Sequence, residues 1–257
     1  MNISDFTKTA AQIRREILTG IQWAGSGHPG GSLSAVEVLL YLHAIEMQPE
    51  DKFILDKAHC VPALYAIWSG LGLEGYATLR TIGSAFQGHT STRHTPRAVT
   101  PGGSLGQGLA VACGLALGKR LKGEEGRVFV MVGDGGWQEG ITAEALRFAA
   151  HHMLSNLTVI LDYNKLQSDA LVEDVMAIHP AEEATVVGFE VFECDGHNFD
   201  SIRQAFSLAR LSEYAPQLVI AHTVKGKGVS YMEGNPAWHG SVVMTTEQLE
   251  AALEELS

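Results

Sequence analysis

The chain reads Val128-Phe-Val-Met-Val-Gly-Asp-Gly-Gly136 near its middle, an apolar, β-branched run that stops at a glycine-rich turn carrying one aspartate. Such a run is typical of a buried strand that ends at a tight loop. Three more short runs of this kind follow it, at residues 157–161, 189–193 and 218–221, and stretches with helical spacing separate them. Strands that alternate with helices predict an α/β class fold, a doubly wound parallel sheet with helices on both faces.

The chain before this run has a different pattern. Apolar residues recur at helical spacing over residues 4–24, 34–47, 62–69 and 103–121, so we expect helices there. The sequence has no linker, internal repeat or low-complexity segment that would divide it. We therefore predict a single domain over residues 1–257, with an N-terminal helical region over about residues 1–60.

Composition narrows the function classes. The 257 residues are 46% hydrophobic and 18% charged, as in a soluble globular protein. A net charge of −11 repels phosphate backbones and anionic bilayers, so neither nucleic acid nor a membrane is an expected partner. Without a signal peptide or a spanning apolar run, we expect a cytoplasmic protein. Three distant cysteines indicate neither a disulfide framework nor a thiolate metal site.

A polar loop follows each predicted strand, at residues 133–136, 162–164, 194–198 and 222–226. The carboxyl ends of parallel strands share one edge of the sheet, so these loops are expected to meet in one crevice. If a helix over 139–150 is the crossover, Asp134 and Asn164 lie on neighbouring strand ends. Their oxygens suit Mg²⁺ or Ca²⁺, and the glycines would let the backbone approach a diphosphate.

These residues resemble the cofactor motif of transketolases, which bind thiamine diphosphate. The likeness begins with Gly133-Asp-Gly135, Gln138-Glu-Gly140 and Asn164-Lys-Leu-Gln167, and it runs in order through nearly the whole chain. The other matching segments are Gly27-His-Pro-Gly-Gly31, Lys57-Ala-His59, Pro62-Ala-Leu-Tyr65, Gln87-Gly-His89, Gly103-Ser-Leu-Gly-Gln-Gly108, Asp195-Gly-His197, Thr223-Val-Lys-Gly-Lys-Gly228 and Trp238-His-Gly240. Together they imply the diphosphate-binding type of thiamine-diphosphate fold.

The resemblance also implies roles for individual residues. In that family the positions of Asp134, Asn164 and Leu166 bind Mg²⁺, for which Ca²⁺ or Mn²⁺ can substitute, and Leu166 does so through its backbone carbonyl. The catalytic positions match His28, His89 and His239, and imidazoles suit proton transfer near neutral pH. The positions implied to bind the cofactor are His59, Gly103, Leu105, Gly133, Asp134, Gly135, Asn164, Leu166 and His239.

The implied activity is a transketolase reaction (EC 2.2.1.-, most closely 2.2.1.1), in which a two-carbon ketol unit passes from a ketose or its phosphate to an aldose or its phosphate. The resemblance covers only the N-terminal part of full-length transketolases, so we expect one subunit of a split, two-gene enzyme. Its partner would carry the pyrimidine-binding and C-terminal domains, with the cofactor-activating glutamate, in an α₂β₂ assembly.

Some alternatives remain open at this point. Glu139 and Glu144 match positions that form an interface and proton relay between active sites in the family, but an acid such as Glu139 at a helix N-terminus also complements the helix dipole. Two alternatives to a transketolase subunit are a noncatalytic subunit that binds the cofactor and the α subunit of a 2-oxo-acid dehydrogenase. His28, His89 and the segment around His239 resemble ketose-binding positions and argue against the last alternative.

Overall fold

The computed structural model describes residues 3–72, 76–168, 170–240 and 243–257, and a parallel five-stranded sheet lies at its centre. The strands of the described chain are β1 (Lys52–Leu55), β2 (Val128–Gly133), β3 (Leu157–Tyr163), β4 (Leu166–Gln167), β5 (Ala170–Leu171), β6 (Glu190–Asp195) and β7 (Gln217–His222). The sheet order is β1-β2-β3-β7-β6, and every neighbouring pair is parallel. Strands β4 and β5 form a separate antiparallel pair just after β3.

Helices cover both faces of the sheet. The α-helices of the described residues are α1 (Ile3–Ala24), α2 (Pro29–Ser34), α3 (Val36–Tyr41), α4 (Val61–Gly70), α5 (Gln107–Lys122), α6 (Asp134–Trp137), α7 (Gly140–His151), α8 (Val172–Val175), α9 (Pro180–Val187), α10 (Phe199–Ala209) and α11 (Thr246–Glu255). A π-helical turn spans Leu42–Glu46, and 3₁₀ turns span Ala58–Cys60, Tyr76–Thr78 and Pro236–Trp238. None of the described helices combines the length and the apolar character needed to cross a bilayer.

Strand β2 shows why the sheet is buried on both sides. Phe129 and Met131 point into a core formed with α1, α3, α4 and α10, whereas Val128, Val130 and Val132 point into a second core formed with α5, α7 and α9. Alternate residues of a strand face opposite sides, so an uninterrupted apolar run requires cover on both faces. The doubly wound α/β fold predicted from this run is confirmed.

The four predicted strands and the crossover helix between β2 and β3 are present. Strand β1 was missed, because four residues are too short a run to distinguish from a helix segment. It pairs with β2 and interrupts the helical region expected over about residues 1–60: the first run of helices stops at Glu46, before β1. The helix expected over 34–47 is also divided. Residue 34 is the last residue of α2, which begins at Pro29, and proline is favoured in the first turn of a helix. Helix α3 then follows after Ala35.

The register of β2 and β3 positions the crevice. Gly133, the last residue of β2, lies opposite Asp162, so both strands end at the same edge. Strand β7 continues this edge, with Ala221 opposite Asp162. The three loops that follow these strands therefore start side by side.

Candidate active site

A cavity of about 220 Å³ opens at this edge of the sheet. Eleven residues were predicted from the sequence to act in catalysis, cofactor binding or metal binding, and all eleven line it. They are His28, His59, His89, Gly103, Leu105, Gly133, Asp134, Gly135, Asn164, Leu166 and His239. Glu139 and Glu144 do not line the cavity: Glu139 precedes α7, Glu144 lies within it, and both are exposed. The fold thus brings together segments that lie more than 200 positions apart in sequence.

Asp134 is the best-anchored acidic group of the cavity. Its side chain is buried at the start of α6, where Oδ2 accepts a hydrogen bond from the backbone N–H of Asn164 (3.2 Å) and Oδ1 accepts one from Lys165 (3.1 Å). The amide oxygen of Asn164 in turn accepts from the backbone N–H of Leu166 (3.1 Å). These bonds fix two oxygen-bearing side chains next to each other at the ends of β2 and β3.

The donor set at this point fits a hard divalent cation. A carboxylate oxygen that accepts one N–H retains a second lone pair, so both Asp134 oxygens can still coordinate. Burial, and then the nearby Asp162 carboxylate, raises the pKa of Asp134 to about 7, and a bound cation would favour its ionised form. Within the described ranges no three His, Cys, Asp or Glu side chains cluster as ligands, so amide and backbone carbonyl oxygens would have to complete the shell, as Mg²⁺ accepts.

A buried ion pair underlies the cavity. Lys57 and Asp162 are 2% and 1% exposed, and Nζ of Lys57 donates to Oδ2 of Asp162 and to the carbonyl of Gly31 (3.3 Å). The same carboxylate accepts from the hydroxyls of Ser34 (2.7 Å) and Thr223. Burial alone would raise the pKa of Asp162, but Lys57 and these hydrogen bonds hold it below its usual value. Lys57 had no role predicted from the sequence, although it precedes His59 in a matching segment.

Lys225 adds a second buried cation. It follows β7, is 2% exposed, and its Nζ approaches the carbonyl of Ser168 at 3.5 Å. Burial, and then repulsion from Lys57, lowers its pKa to about 8. This lysine also lies in a matching segment without a predicted role. Because Lys57 is paired with Asp162, Lys225 is the lysine of the lining that adds positive charge to the cavity, and such charge suits an anionic ligand.

Three histidines form another part of the cavity wall. The ring centroids of His28, His59 and His239 lie 5.3 to 5.7 Å from one another. Burial, and then neighbouring cations, lowers the pKa of His28 to about 4 and that of His59 well below its usual value, so both rings are neutral near pH 7 in the unliganded chain. A Cβ on Gly240 would lie 2.2 Å from the His28 ring, so any residue other than glycine would displace this ring.

The fourth predicted histidine, His89, sits at the exposed rim beside Arg80. Partial burial, and then Arg80, lowers its pKa. Nη1 of Arg80 donates to the Ser26 hydroxyl (2.9 Å). Nη2 of Arg80 lies 3.4 Å from Nδ1 of His28. Arg80 was not among the residues predicted from the sequence, because it falls in a polar segment without a recognisable motif.

Asp56 holds the segment that carries Gly103 and Leu105. Its two carboxylate oxygens accept from the backbone N–H groups of Gly106 (2.9 Å) and Gly108 (2.8 Å) at the start of α5. A carboxylate at a helix N-terminus satisfies free N–H groups and complements the dipole. Asp56 follows β1, so missing that strand meant missing this cap as well.

A second buried network supports the loop after β7. Arg14 donates to both carboxylate oxygens of Glu37 (2.7 Å each) and, through Nε, to the carbonyl of Lys227 (2.9 Å). His197 accepts from the backbone N–H of Val224 (2.8 Å) at Nε2, so its proton is on Nδ1, which donates to Glu37 (3.0 Å). Helix α1 is thereby linked to the loop that carries the cavity lysine.

Comparison with known proteins identifies relatives of two kinds, the first of them about as long as this chain. The family model "Transketolase, thiamine diphosphate binding domain" matches residues 6–255. One of the subunits of the apulose-4-phosphate transketolase of Phocaeicola vulgatus is 34% identical over 270 residues, covering 100% of this chain and 95% of the relative. The 6-deoxy-6-sulfo-D-fructose transketolase subunit SqwG of Clostridium sp. is 35% identical over 268 residues, covering 98% and 96%.

Longer transketolases match over part of their length. The transketolase of Homo sapiens is 36% identical over 247 residues, which are 90% of this chain and 39% of the human protein. Among solved structures, the Campylobacter jejuni transketolase superposes with a TM-score of 0.90 at 28% identity, covering 100% of this chain and 43% of that one. The Leishmania mexicana transketolase also gives 0.90, at 27% identity, covering 96% and 40%. The chain thus spans about two fifths of these proteins and nearly all of the two shorter relatives.

Proposed function

The chain belongs to the transketolase family, in its thiamine-diphosphate-binding domain, and from this premise we propose that it is the N-terminal subunit of a split transketolase. It would transfer a two-carbon ketol unit from a ketose or its phosphate to an aldose or its phosphate, once joined to a pyrimidine-domain subunit. One observation carries the proposal: a single cavity contains the oxygen pair, the buried cations and the histidines that this reaction needs. The relatives described above favour ketol transfer over 2-oxo-acid oxidation.

The diphosphate end of the cofactor would be held by the strand-end loops. Asp134, Asn164 and the carbonyl of Leu166 would bind Mg²⁺, which neutralises the phosphates. The glycine turn at Gly133 and Gly135 admits a phosphate against the backbone. Lys57 and Lys225 face the same space and add positive charge to it, although only Lys225 is free of a direct carboxylate partner among the described contacts.

His59, Gly103 and Leu105 would complete the cofactor site. Thiamine diphosphate, when bound, supplies the nucleophilic carbon and the electron sink that ketol transfer requires. This chain supplies orientation and proton transfer. A neutral imidazole donates a hydrogen bond from one ring nitrogen and can accept a proton at the other, and burial lowers the pKa of both His28 and His89, which favours the neutral rings near pH 7. His28, His89 and His239 would therefore hydrogen-bond the oxygens of the reacting sugar and accept protons from them.

The assembly is also part of the proposal. The two relatives matched over nearly their full length are both named as subunits, which supports a partner for this chain. We infer that the partner carries the cofactor-activating glutamate, that the complex is an α₂β₂ heterotetramer in the cytoplasm, and that residues 1–257 act in it as one domain. Glu139 and Glu144, exposed outside the cavity, would lie at the interface and join the active sites.

The decisive experiment measures ketol transfer with thiamine diphosphate and Mg²⁺, using the chain alone and then co-expressed with the product of the adjacent gene. Xylulose 5-phosphate serves as donor and ribose 5-phosphate as acceptor, followed by the donors named for the two shorter relatives. We expect activity only in the pair. A pair that binds the cofactor and transfers from none of these donors would contradict the proposal and favour a noncatalytic role.

The metal assignment has its own test, Asp134→Ala, with Asp195→Ala as the matched control. Asp195 also ends a strand of the sheet but is exposed outside the cavity. Calorimetry on the assembled enzyme should show that Asp134→Ala abolishes Mg²⁺-dependent binding of thiamine diphosphate, while the control retains it. Unchanged affinity at saturating Mg²⁺ would remove Asp134 from the metal site.

A further inference from the structure

Arg80 is placed to control one histidine of the cavity. Its backbone has φ of 59°, a left-handed conformation that is uncommon outside glycine, and its N–H donates to the carbonyl of Phe86 (2.7 Å), which closes a turn. The turn directs the half-buried guanidinium toward the cavity, where it lies against Gly88. Its Nη1 donates to the hydroxyl of Ser26 (2.9 Å). The side chain is thereby fixed between the loops that carry His28 and His89.

The contact with His28 has only one chemically consistent form. Nη2 of Arg80 lies 3.4 Å from Nδ1 of His28, and a guanidinium has N–H donors but no acceptor. Nδ1 must therefore be the unprotonated nitrogen of the imidazole. A proton on Nδ1 would set two N–H groups against each other, next to a fixed positive charge. This contact disfavours both the Nδ1–H tautomer and the imidazolium.

The remaining surroundings act in the same direction. Burial and then cationic groups set the electrostatics of the His28 ring, and among the described residues none of the groups that shift its pKa is a carboxylate. The titratable and charged groups around the ring are Arg80, His89, Lys225, His59 and His239. Among them Arg80 is the permanent cation in direct contact with a ring nitrogen.

We propose that Arg80 is a positioning residue that holds His28 as the neutral Nε2–H tautomer. This inference rests on the proposed function for its meaning, because it gives His28 a defined role in that site. Nε2 lies on the ring edge that faces Gly240, where a Cβ would come within 2.4 Å of it. An oxygen of a bound sugar within reach of Nε2 therefore meets a hydrogen-bond donor, and the ring can accept a proton only after its contact with Arg80 is given up.

A further atom of Arg80 supports a role beyond packing. Its Nε is buried and has no hydrogen-bond partner among residues 3–72, 76–168, 170–240 and 243–257. A buried donor without a partner costs stability, so packing alone does not account for an arginine at this position. Methionine or leucine would fill the same space without that cost.

The test is the tautomer and titration of His28 in the full chain, read from long-range ¹H–¹⁵N spectra of the imidazoles. The His28 signals are assigned by their loss in His28→Gln. In the parent chain we expect the Nε2–H form and a midpoint near 4. In Arg80→Met we expect both tautomers and a midpoint displaced toward the 6.5 of a free imidazole. Arg80→Lys, which keeps a cation, should have a lower midpoint than Arg80→Met.

Arg93→Met is the matched control, since it removes an exposed arginine from the neighbouring polar loop without touching His28. It should leave the His28 spectrum as in the parent. If Arg80→Met does not fold, Ser26→Ala replaces it, because losing the Nη1 anchor should change the tautomer ratio in the same direction. An unchanged tautomer and midpoint in the folded variant would overturn the proposal.

This readout is independent of catalysis. If the assembled enzyme has no ketol-transfer activity, the proposed function fails while the NMR result still decides the Arg80 inference. If it is active, Arg80→Met should move the acid limb of the kcat/KM profile to higher pH, because His28 then becomes protonated at higher pH. An unmoved limb, with the NMR change present, would separate His28 from the rate-limiting proton step.

Discussion

Replacing Asp162 with alanine should destabilise the chain strongly, because it leaves the ammonium of Lys57 buried without its carboxylate. Both groups are almost fully buried, so solvent cannot replace the lost partner. Breaking a buried pair by removing one charge costs about 3–5 kcal/mol of unfolding free energy. For a chain of this size that corresponds to a fall in Tm of roughly 6–20 °C. The hydroxyls of Ser34 and Thr223 also lose their acceptor.

The assay is urea and thermal unfolding followed by circular dichroism. Glu124→Ala is the control, because Glu124 pairs with Lys122 at the surface, where the side chains are 52% and 71% exposed. Such a pair contributes about 0–1 kcal/mol. The double variant Lys57→Met/Asp162→Val removes both charges and should recover more than half of the loss. The reasoning is refuted if Asp162→Ala behaves like the surface control, or if the double variant is no more stable than the single one.

Three other predictions concern the cavity and its support. His89→Ala should reduce turnover of ketoses with a C1 hydroxyl more than it alters cofactor affinity, and equal turnover in steady-state assays would remove His89 from the site. Gly240→Ala should displace the His28 ring and lower kcat while the thermal midpoint changes little, since the ring is half-buried; unaltered kinetics would contradict the close approach. Burial alone would raise the pKa of Glu37, but His197 and Arg14 lower it to about 2, below the 4.5 of a free glutamate. The stability that Glu37 adds is therefore complete above pH 4.5 and is lost as the pH falls toward 2. In urea unfolding, Glu37→Gln should lower the free energy of unfolding relative to the parent at pH 7, and by a smaller amount at pH 3. A difference in unfolding free energy that grows as the pH falls would contradict this reasoning.

Residues whose position in the fold depends on local pattern could be predicted from the sequence. The strand 128–133 is apolar on both faces, and its glycine turn with one aspartate indicated the position of the cavity. The pairing of Asp134 with Asn164 required only the rule that a crossover joins neighbouring parallel strands. The register of Gly133 opposite Asp162 confirms that step.

Residues whose role depends on distant contacts could not be predicted in this way. Lys57 becomes a buried cation only because β3 delivers Asp162 beneath it, 105 positions later. Arg80 contacts His28 through a turn that has no sequence signature. Asp56 caps a helix that starts about 50 positions further on, across a loop. Periodicity and motif spacing describe a segment by itself and carry no information on which segments meet.

The link from Arg14 to Lys227 also bears on how the chain folds. It spans 213 positions, and together with His28 and His239 it makes the cavity the product of contacts of very long sequence separation. Closing such long loops costs chain entropy, so chains rich in these contacts fold slowly. During synthesis, the histidine wall cannot assemble until residue 239 has left the ribosome, whereas β2 and β3 with α7 can pair long before. Cofactor binding should therefore appear only after residue 239 has emerged, later than the pairing of β2 with β3.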